Sequence, residues 1–297
     1  LLWIAATLSA AVAQTARNAM QSSLTERLGT LGATQVRFVF GLPFAIVFLA
    51  TIVLVTGAQV PSPGERFLAF TATGAVAQIL GTVLLLAAMR ERSFSVATAF
   101  TKTEAVQVAL FGLLILGDEL TPLRMAAIAV ATAGIFLIAF KPGQKLTSES
   151  LRPALYGVAS GGMYAIAAVG FRGGILSLDG SAAYFLRAST TLVWSLAIQS
   201  VLLGAWMQVF QPRALRDSLA VWRQSLFAGF MGALASQCWF LGFSLTTAAN
   251  VRTLGLIEVL FAQAVSRRVF SQSTTLRELA GMALVVVGVG LLLAAAV

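Results

Sequence analysis

Ten runs of about 20 apolar residues, each closed by a polar break, dominate this 297-residue chain. A run of that length crosses the hydrocarbon core of a bilayer as one helix. Hydropathy and turn signals place the runs at 2–21, 33–56, 67–89, 95–116, 122–140, 153–173, 182–205, 224–245, 250–268 and 277–297. The breaks are "SSLTERLGT", "GAQVPSPGER", "MRERS", "GDELTP", "KPGQKLTSESLRP", "LSLDGS", "QPRALRDS", "TTAAN" and "SQSTT". None can hold a soluble domain, so the chain's work is expected in or across the bilayer. The expected fold class is an all-α integral membrane protein with ten transmembrane helices.

Composition narrows the chemistry. The chain is 58% hydrophobic and 10% charged, whereas soluble domains carry about a quarter charged residues. Mean hydropathy is +0.89. The absence of His removes His general bases, His ligands and His triads. The single cysteine, Cys238, can make neither an intrachain disulfide nor a Cys-based zinc site. No catalytic residue, metal site or cofactor is therefore expected. The net charge of +9 is dispersed between the apolar runs, which suits lipid headgroups and not nucleic acid. Leu1 to Ala13 is apolar but has no basic leader and continues into a spanning run, so no cleaved signal peptide is expected.

The chain also repeats itself. Placing "FSVATAFTKTEAVQVALFG" above "AANVRTLGLIEVLFAQAVS" sets Glu104 154 residues before Glu258. The same offset pairs Gly134 with Gly288, and "LTP" at 120–122 with "TTL" at 274–276. Two halves follow, 1–142 and 153–297, joined by a loop at 143–152. Five helices per half is odd, so the second half enters the membrane from the opposite side. Inverted repeats around a central cavity are a recurrent plan of secondary transporters.

Orientation follows from charge. Of the 20 Lys and Arg residues, 15 fall at the side of the breaks after runs 1, 3, 5, 7 and 9, and 5 at the other. The positive-inside rule puts the richer side in the cytoplasm and both termini outside.

Charges inside the runs mark candidate sites, because a charge at a helix centre costs about 2.5–3.5 kcal/mol on insertion scales. The fourth run carries Lys102 and Glu104, and the ninth carries Arg252 and Glu258. Lys102 and Glu104 are two residues apart, roughly 200° around the helix, so each needs a partner on another helix. Lys102 either snorkels, pairs structurally or contacts a substrate or gate; the two Glu residues either tie helices or take part in transport.

Other polar residues share helical faces. Gln14, Asn18 and Gln21 do so in the first run, with Gln78 and Thr82 in the third. Gly157, Ser160, Gly161 and Tyr164 do so in the sixth; Gly229, Ala233, Gln237 and Phe240 in the eighth, with Trp239 adjacent. Each face suits interhelical hydrogen bonding. Together Gln14, Asn18, Gln78, Thr82, Tyr164, Gln237 and Trp239 are the candidate cavity lining, fit for a small zwitterionic or amphipathic solute.

Two stretches carry a family resemblance: "LGDELTPLRMAAIAVATAGIFLIAF" (116–140) and "RERSFSVATAFTKTEAVQVALFG" (90–112). They are similar to the Gly-Glu-x-x-Thr-Pro turn and neighbouring helices of the EamA-type members of the drug/metabolite transporter superfamily. Within them, the chain resembles the bacterial amino-acid exporters, including the YddG-like aromatic amino-acid exporters. The resemblance implies a multi-pass protein of the bacterial inner membrane, a monomer exporting amino acids or similar metabolites, with both termini in the cytoplasm. That orientation is opposite to the charge count. The family often has Glu-Pro in helices four and nine. Here Glu104 and Glu258 match the Glu, while Ala105 and Val259 replace the Pro. The second turn, "FSQSTTLRE", lacks the Gly-Glu and Pro.

The leading reading is thus a secondary transporter working by alternating access, on amino acids or on another metabolite or drug. An intramembrane enzyme or lipid-handling protein would need paired acids inside helices, yet Asp118, Asp179 and Asp217 fall in the breaks. A pure packing partner of another membrane protein would have little use for two deep Glu. No G-x-x-x-x-G-K-[ST] loop is present for ATP.

Overall fold

The computed structural model describes residues 1–91, 100–139, 148–261 and 275–295, and the regular structure among them is helical. In chain order the elements are α1 (Leu2–Val39), α2 (Leu42–Thr56), α3 (Glu65–Glu91), α4 (Glu104–Phe111) with a π turn (Gly112–Leu116), and α5 (Pro122–Ala139). Then come α6 (Ser148–Ser177), α7 (Tyr184–Phe210), α8 (Pro212–Ala220), α9 (Trp222–Leu245), α10 (Ala248–Leu254) with a 3₁₀ turn (Gly255–Ile257), and α11 (Leu276–Ala294). A helix satisfies its own backbone, which lipid cannot do. Among the described residues, six stretches are long and apolar enough to cross a membrane, by length and composition: Leu31–Thr56, Glu65–Ala88, Ala154–Ser177, Tyr184–Phe210, Ser225–Leu245 and Leu276–Ala294. Glu104–Leu116 and Pro122–Ile138 are apolar but shorter.

Two expected breaks, and the described part of a third, are helical. "SSLTERLGT" is helical, and α1 is interrupted at Gly29 alone, with φ 68° and ψ 178°. That backbone region is open to glycine and closed to residues with a Cβ, so one residue redirects the chain. "QPRALRDS" forms α8, with Pro212 in its first turn, where a missing N–H costs nothing. The sixth run starts at Ser148, five residues before the expected Pro153.

The turn before α11 holds a capping box. Thr275 Oγ1 accepts the Glu278 N–H at 3.2 Å, and the Glu278 carboxylate accepts the Thr275 N–H at 2.8 Å. Two otherwise orphaned helix donors are satisfied this way. Thr275→Ala is expected to lower stability by about 1 kcal/mol, read from the thermal midpoint in detergent; an unchanged midpoint would remove the cap from this account. Between α6 and α7, the Asp179 carboxylate accepts the backbone N–H and hydroxyl of Ser181. Those bonds favour its charged form and hold its pKa below the usual carboxylate value.

The chain forms two compact units. The first comprises Leu1–Ile79 and Ile166–Thr247. Here α1 packs on α9, and α7 on both α2 and α9. Phe171 and Phe240 stack with ring centroids 4.8 Å apart, and Phe44 meets Phe230 edge-on at 5.3 Å. Arg172 of α6 donates to the carbonyls of Phe243 and Thr246, which satisfies orphan acceptors at the end of α9.

The second unit comprises Leu80–Ala165 and Ala248–Val297. Here α5 packs against α11. A Cβ on Gly134 would lie 2.6 Å from the Gly281 carbonyl oxygen and 2.8 Å from the Val285 nitrogen. A Cβ on Gly288 would lie 2.6 Å from the Ala131 nitrogen and 2.8 Å from the Ala127 carbonyl oxygen. The backbones touch where glycine leaves room, as in close membrane-helix contacts. Partner numbers fall on α11 as they rise on α5, so the two helices run antiparallel. Subtracting the offset of 154 turns Gly288, Gly281 and Val285 into positions 134, 127 and 131. The two contact sets therefore interchange, as a local twofold across the pair requires.

Candidate functional site

In the second unit α4 and α10 are in contact, and their four charges pair across that contact. Lys102 Nζ lies 3.2 Å from Glu258 Oε2, and Arg252 Nε lies 2.9 Å from Glu104 Oε1. The first contact is also a hydrogen bond donated by Lys102. In the second, the Nε–H is not aligned for a hydrogen bond with that oxygen, so the contact is one of charge. Both Glu residues are buried, each 8% exposed. Both of these pairs join the two runs. Glu104 and Glu258 are separated by the offset of 154, but the cations are not: Lys102 stands two residues before Glu104 and Arg252 six before Glu258.

Each Glu follows an interruption of its helix. At Lys102–Thr103 the α-helical pattern stops before α4 begins at Glu104. Bonds there tighten to the i−3 carbonyl: Thr103 N–H to Phe100 at 3.2 Å, Ala105 to Lys102 at 3.3 Å and Val106 to Thr103 at 3.1 Å. The Thr103 hydroxyl also donates to the Phe100 carbonyl at 2.7 Å. Before Glu258 stands the 3₁₀ turn Gly255–Ile257, which the offset maps onto 101–103. The prolines absent from positions 105 and 259 are thus not needed for a break; hydroxyl competition and 3₁₀ bonding suffice at the first.

The sixth run buttresses the first break. A Cβ on Gly161 would lie 2.8 Å from the Thr101 carbonyl oxygen and 3.1 Å from the Glu104 nitrogen. Gln107 Nε2 donates to Thr103 Oγ1 at 3.0 Å and to the Val158 carbonyl at 3.3 Å. Sequence reading placed Gly161 on a polar face but missed Thr103 and Gln107. A Gln one turn past the Glu was the available signal.

The candidate lining residues tie helices together. In the first unit Trp239 Nε1 donates to Gln14 Oε1 at 3.0 Å, Gln199 Nε2 to Gln78 Oε1 at 2.6 Å, and Gln237 Nε2 to Ser189 Oγ at 2.9 Å. In the second unit Tyr164 donates its hydroxyl proton to Thr82 Oγ1 at 3.1 Å. The side chain of Asn18 lies outside the described residues. Gln199, fully buried on α7, was overlooked in the sequence. It shares a helical face with buried Ser195 one turn earlier, a signal the apolar run around it obscures.

An all-helical multi-pass membrane protein with crossed, buried ion pairs at two helix breaks is the class these features define. Comparison with known proteins adds to it. Residues 1–140 match the EamA-like transporter family, of the drug/metabolite transporter superfamily. A solved chain reported as "Crystal structure of protein" is similar over 98% of this chain and 94% of its own, with a TM-score of 0.72 and 14% identity. At that identity the likeness speaks for the fold alone. No curated protein sequence matches.

Proposed function

We propose that this protein is a secondary transporter that exports small organic solutes, amino acids foremost, across a bacterial inner membrane by alternating access. The observation that carries the reading is the pair of buried cross-helix ion pairs at the two helix breaks. Charges inside a membrane protein are costly, and where they occur they mark substrate or ion pathways. A tie that forms in one access state and breaks in the other biases the balance between them. Interrupted helices also place backbone polar groups at the interruption, a recurrent device of transporter binding sites. The family match over residues 1–140 supports a transporter. The resemblance to amino-acid exporters supports the substrate class, and the antiparallel α5–α11 contact supports halves 1–142 and 153–297 as inverted repeats. Gln14, Asn18, Gln78, Thr82, Tyr164, Gln237 and Trp239 are the proposed solute-facing polar groups.

Counterflow tests this directly. Proteoliposomes preloaded with an unlabelled aromatic amino acid are expected to accumulate the labelled one faster than empty vesicles. A pH gradient would report whether protons couple. Exchange of other metabolites alone would overturn the substrate class; exchange of no solute would overturn the transporter.

A further inference from the structure

The segment from Trp206 to Arg223, at the end of α7, through α8 and into α9, has no role in the reading above. Its shape is specific. α8 lays Ser218 against the chain at Gly32, where a Cβ would sit 3.8 Å from both Ser218 Cβ and the Ala214 carbonyl oxygen. Ala214 and Leu215 are half-buried and Ser218 is buried, one face of the helix. The other face exposes Arg213 and Arg216, one turn apart, together with Asp217. Arg223, also exposed, holds its guanidinium 5.4 Å from the Trp222 ring centroid.

Large apolar groups are exposed beside these cations. Trp222 is 49% exposed, Leu219 44%, Phe210 66% and Trp206 43%. The rings of Trp206 and Phe210 lie 5.2 Å apart. Nine residues span about 14 Å as a helix, too short to cross a bilayer. In bulk water the aromatic groups would be left wet. In hydrocarbon the guanidinium groups would be stripped of water. Only the boundary layer serves both, and amphipathic helices with basic residues and Trp or Phe lie there.

We infer that α8 and the start of α9 form a docking surface for anionic phospholipid headgroups, with Arg213, Arg216 and Arg223 facing the phosphates. From Gln211 to Arg223 the chain carries three Arg and one acid, Asp217, so the surface is net positive. Guanidinium groups present several donors in a plane that matches phosphate oxygens. Asp217 stands one turn from Arg213 on the same face, and a single carboxylate leaves the three guanidinium groups in excess. The apolar side chains make a lipid the complementary partner, since a free anion would leave them uncovered.

The full chain in detergent would be titrated with phosphatidylglycerol or phosphatidylcholine, reading the thermal midpoint and retained lipid by native mass spectrometry. Phosphatidylglycerol is expected to raise the midpoint several degrees above phosphatidylcholine and to remain bound. Arg213→Gln/Arg216→Gln/Arg223→Gln should lose that difference while keeping its midpoint in phosphatidylcholine. The corresponding triple Lys variant should retain most of the preference. Arg216→Gln alone should show a partial loss, and it serves if the triple Gln variant does not fold. An undiminished phosphatidylglycerol effect in the Gln variants, no preference in the parent, or the same shift from inorganic phosphate alone would overturn the proposal.

Discussion

Glu258→Ala is expected to destabilise the protein by about 3–5 kcal/mol, the scale for leaving one member of a buried ion pair alone. Lys102 would keep its charge in a site where its side chain is only 15% exposed. Replacing both partners, as Lys102→Met/Glu258→Met, removes the stranded charge and should recover most of the loss, because a well-packed apolar pair is often as stable as the ions. The double variant also separates glue from gating. If the pair only holds α4 to α10, the recovered protein transports normally per folded molecule. If the pair sets the balance of access states, counterflow stays altered although stability has returned. Glu104→Gln probes the other pair, leaving Arg252 beside a neutral amide of the same shape. Thermal midpoints in detergent and initial counterflow rates, normalised to folded protein, decide between the outcomes.

The second large effect is expected at the α5–α11 contact. Gly288→Val should cost about 3 kcal/mol or more, at the upper end of overpacking penalties. The new Cβ would meet the Ala131 nitrogen and Ala127 carbonyl oxygen, 2.6 and 2.8 Å away. Backbone atoms cannot swing aside as a flexible side chain would, so the helices must separate. Gly290, two residues on, is the control, since a Cβ there meets nothing within 4 Å. Gly290→Ala is expected to be neutral or to stabilise by up to about 1 kcal/mol through helix propensity. Equal behaviour of the two variants in thermal denaturation would show that the close contact is not what the glycine serves.

The alignment that singled out Gly134 and Gly288 did so without knowing what they touch. Their offset was legible because equivalent contacts impose equivalent size limits, and a size limit as strict as a backbone contact leaves a glycine in the sequence. The polar faces were legible for a related reason: Gln or Tyr within an apolar run needs a partner. Their partners were not. Gln78 meets Gln199, and Gln237 meets Ser189, at separations that no local pattern encodes. α8 was misread because its composition is that of a loop, and only its packing on the chain at Gly32 makes it a helix with one buried face.

Sequence alone determined that the chain is helical and enters the membrane repeatedly, because apolar length and backbone self-satisfaction are local properties. It also determined that four charges stand inside the fourth and ninth runs and that each needs another helix, because helical periodicity fixes the angle between neighbours. Only the tertiary structure decided that Lys102 meets Glu258 while Arg252 meets Glu104. That choice depends on the antiparallel register of α4 against α10 and on the two helix breaks, which set how far each side chain is turned. Register and turning are the sum of many packing contacts, and no single residue carries them.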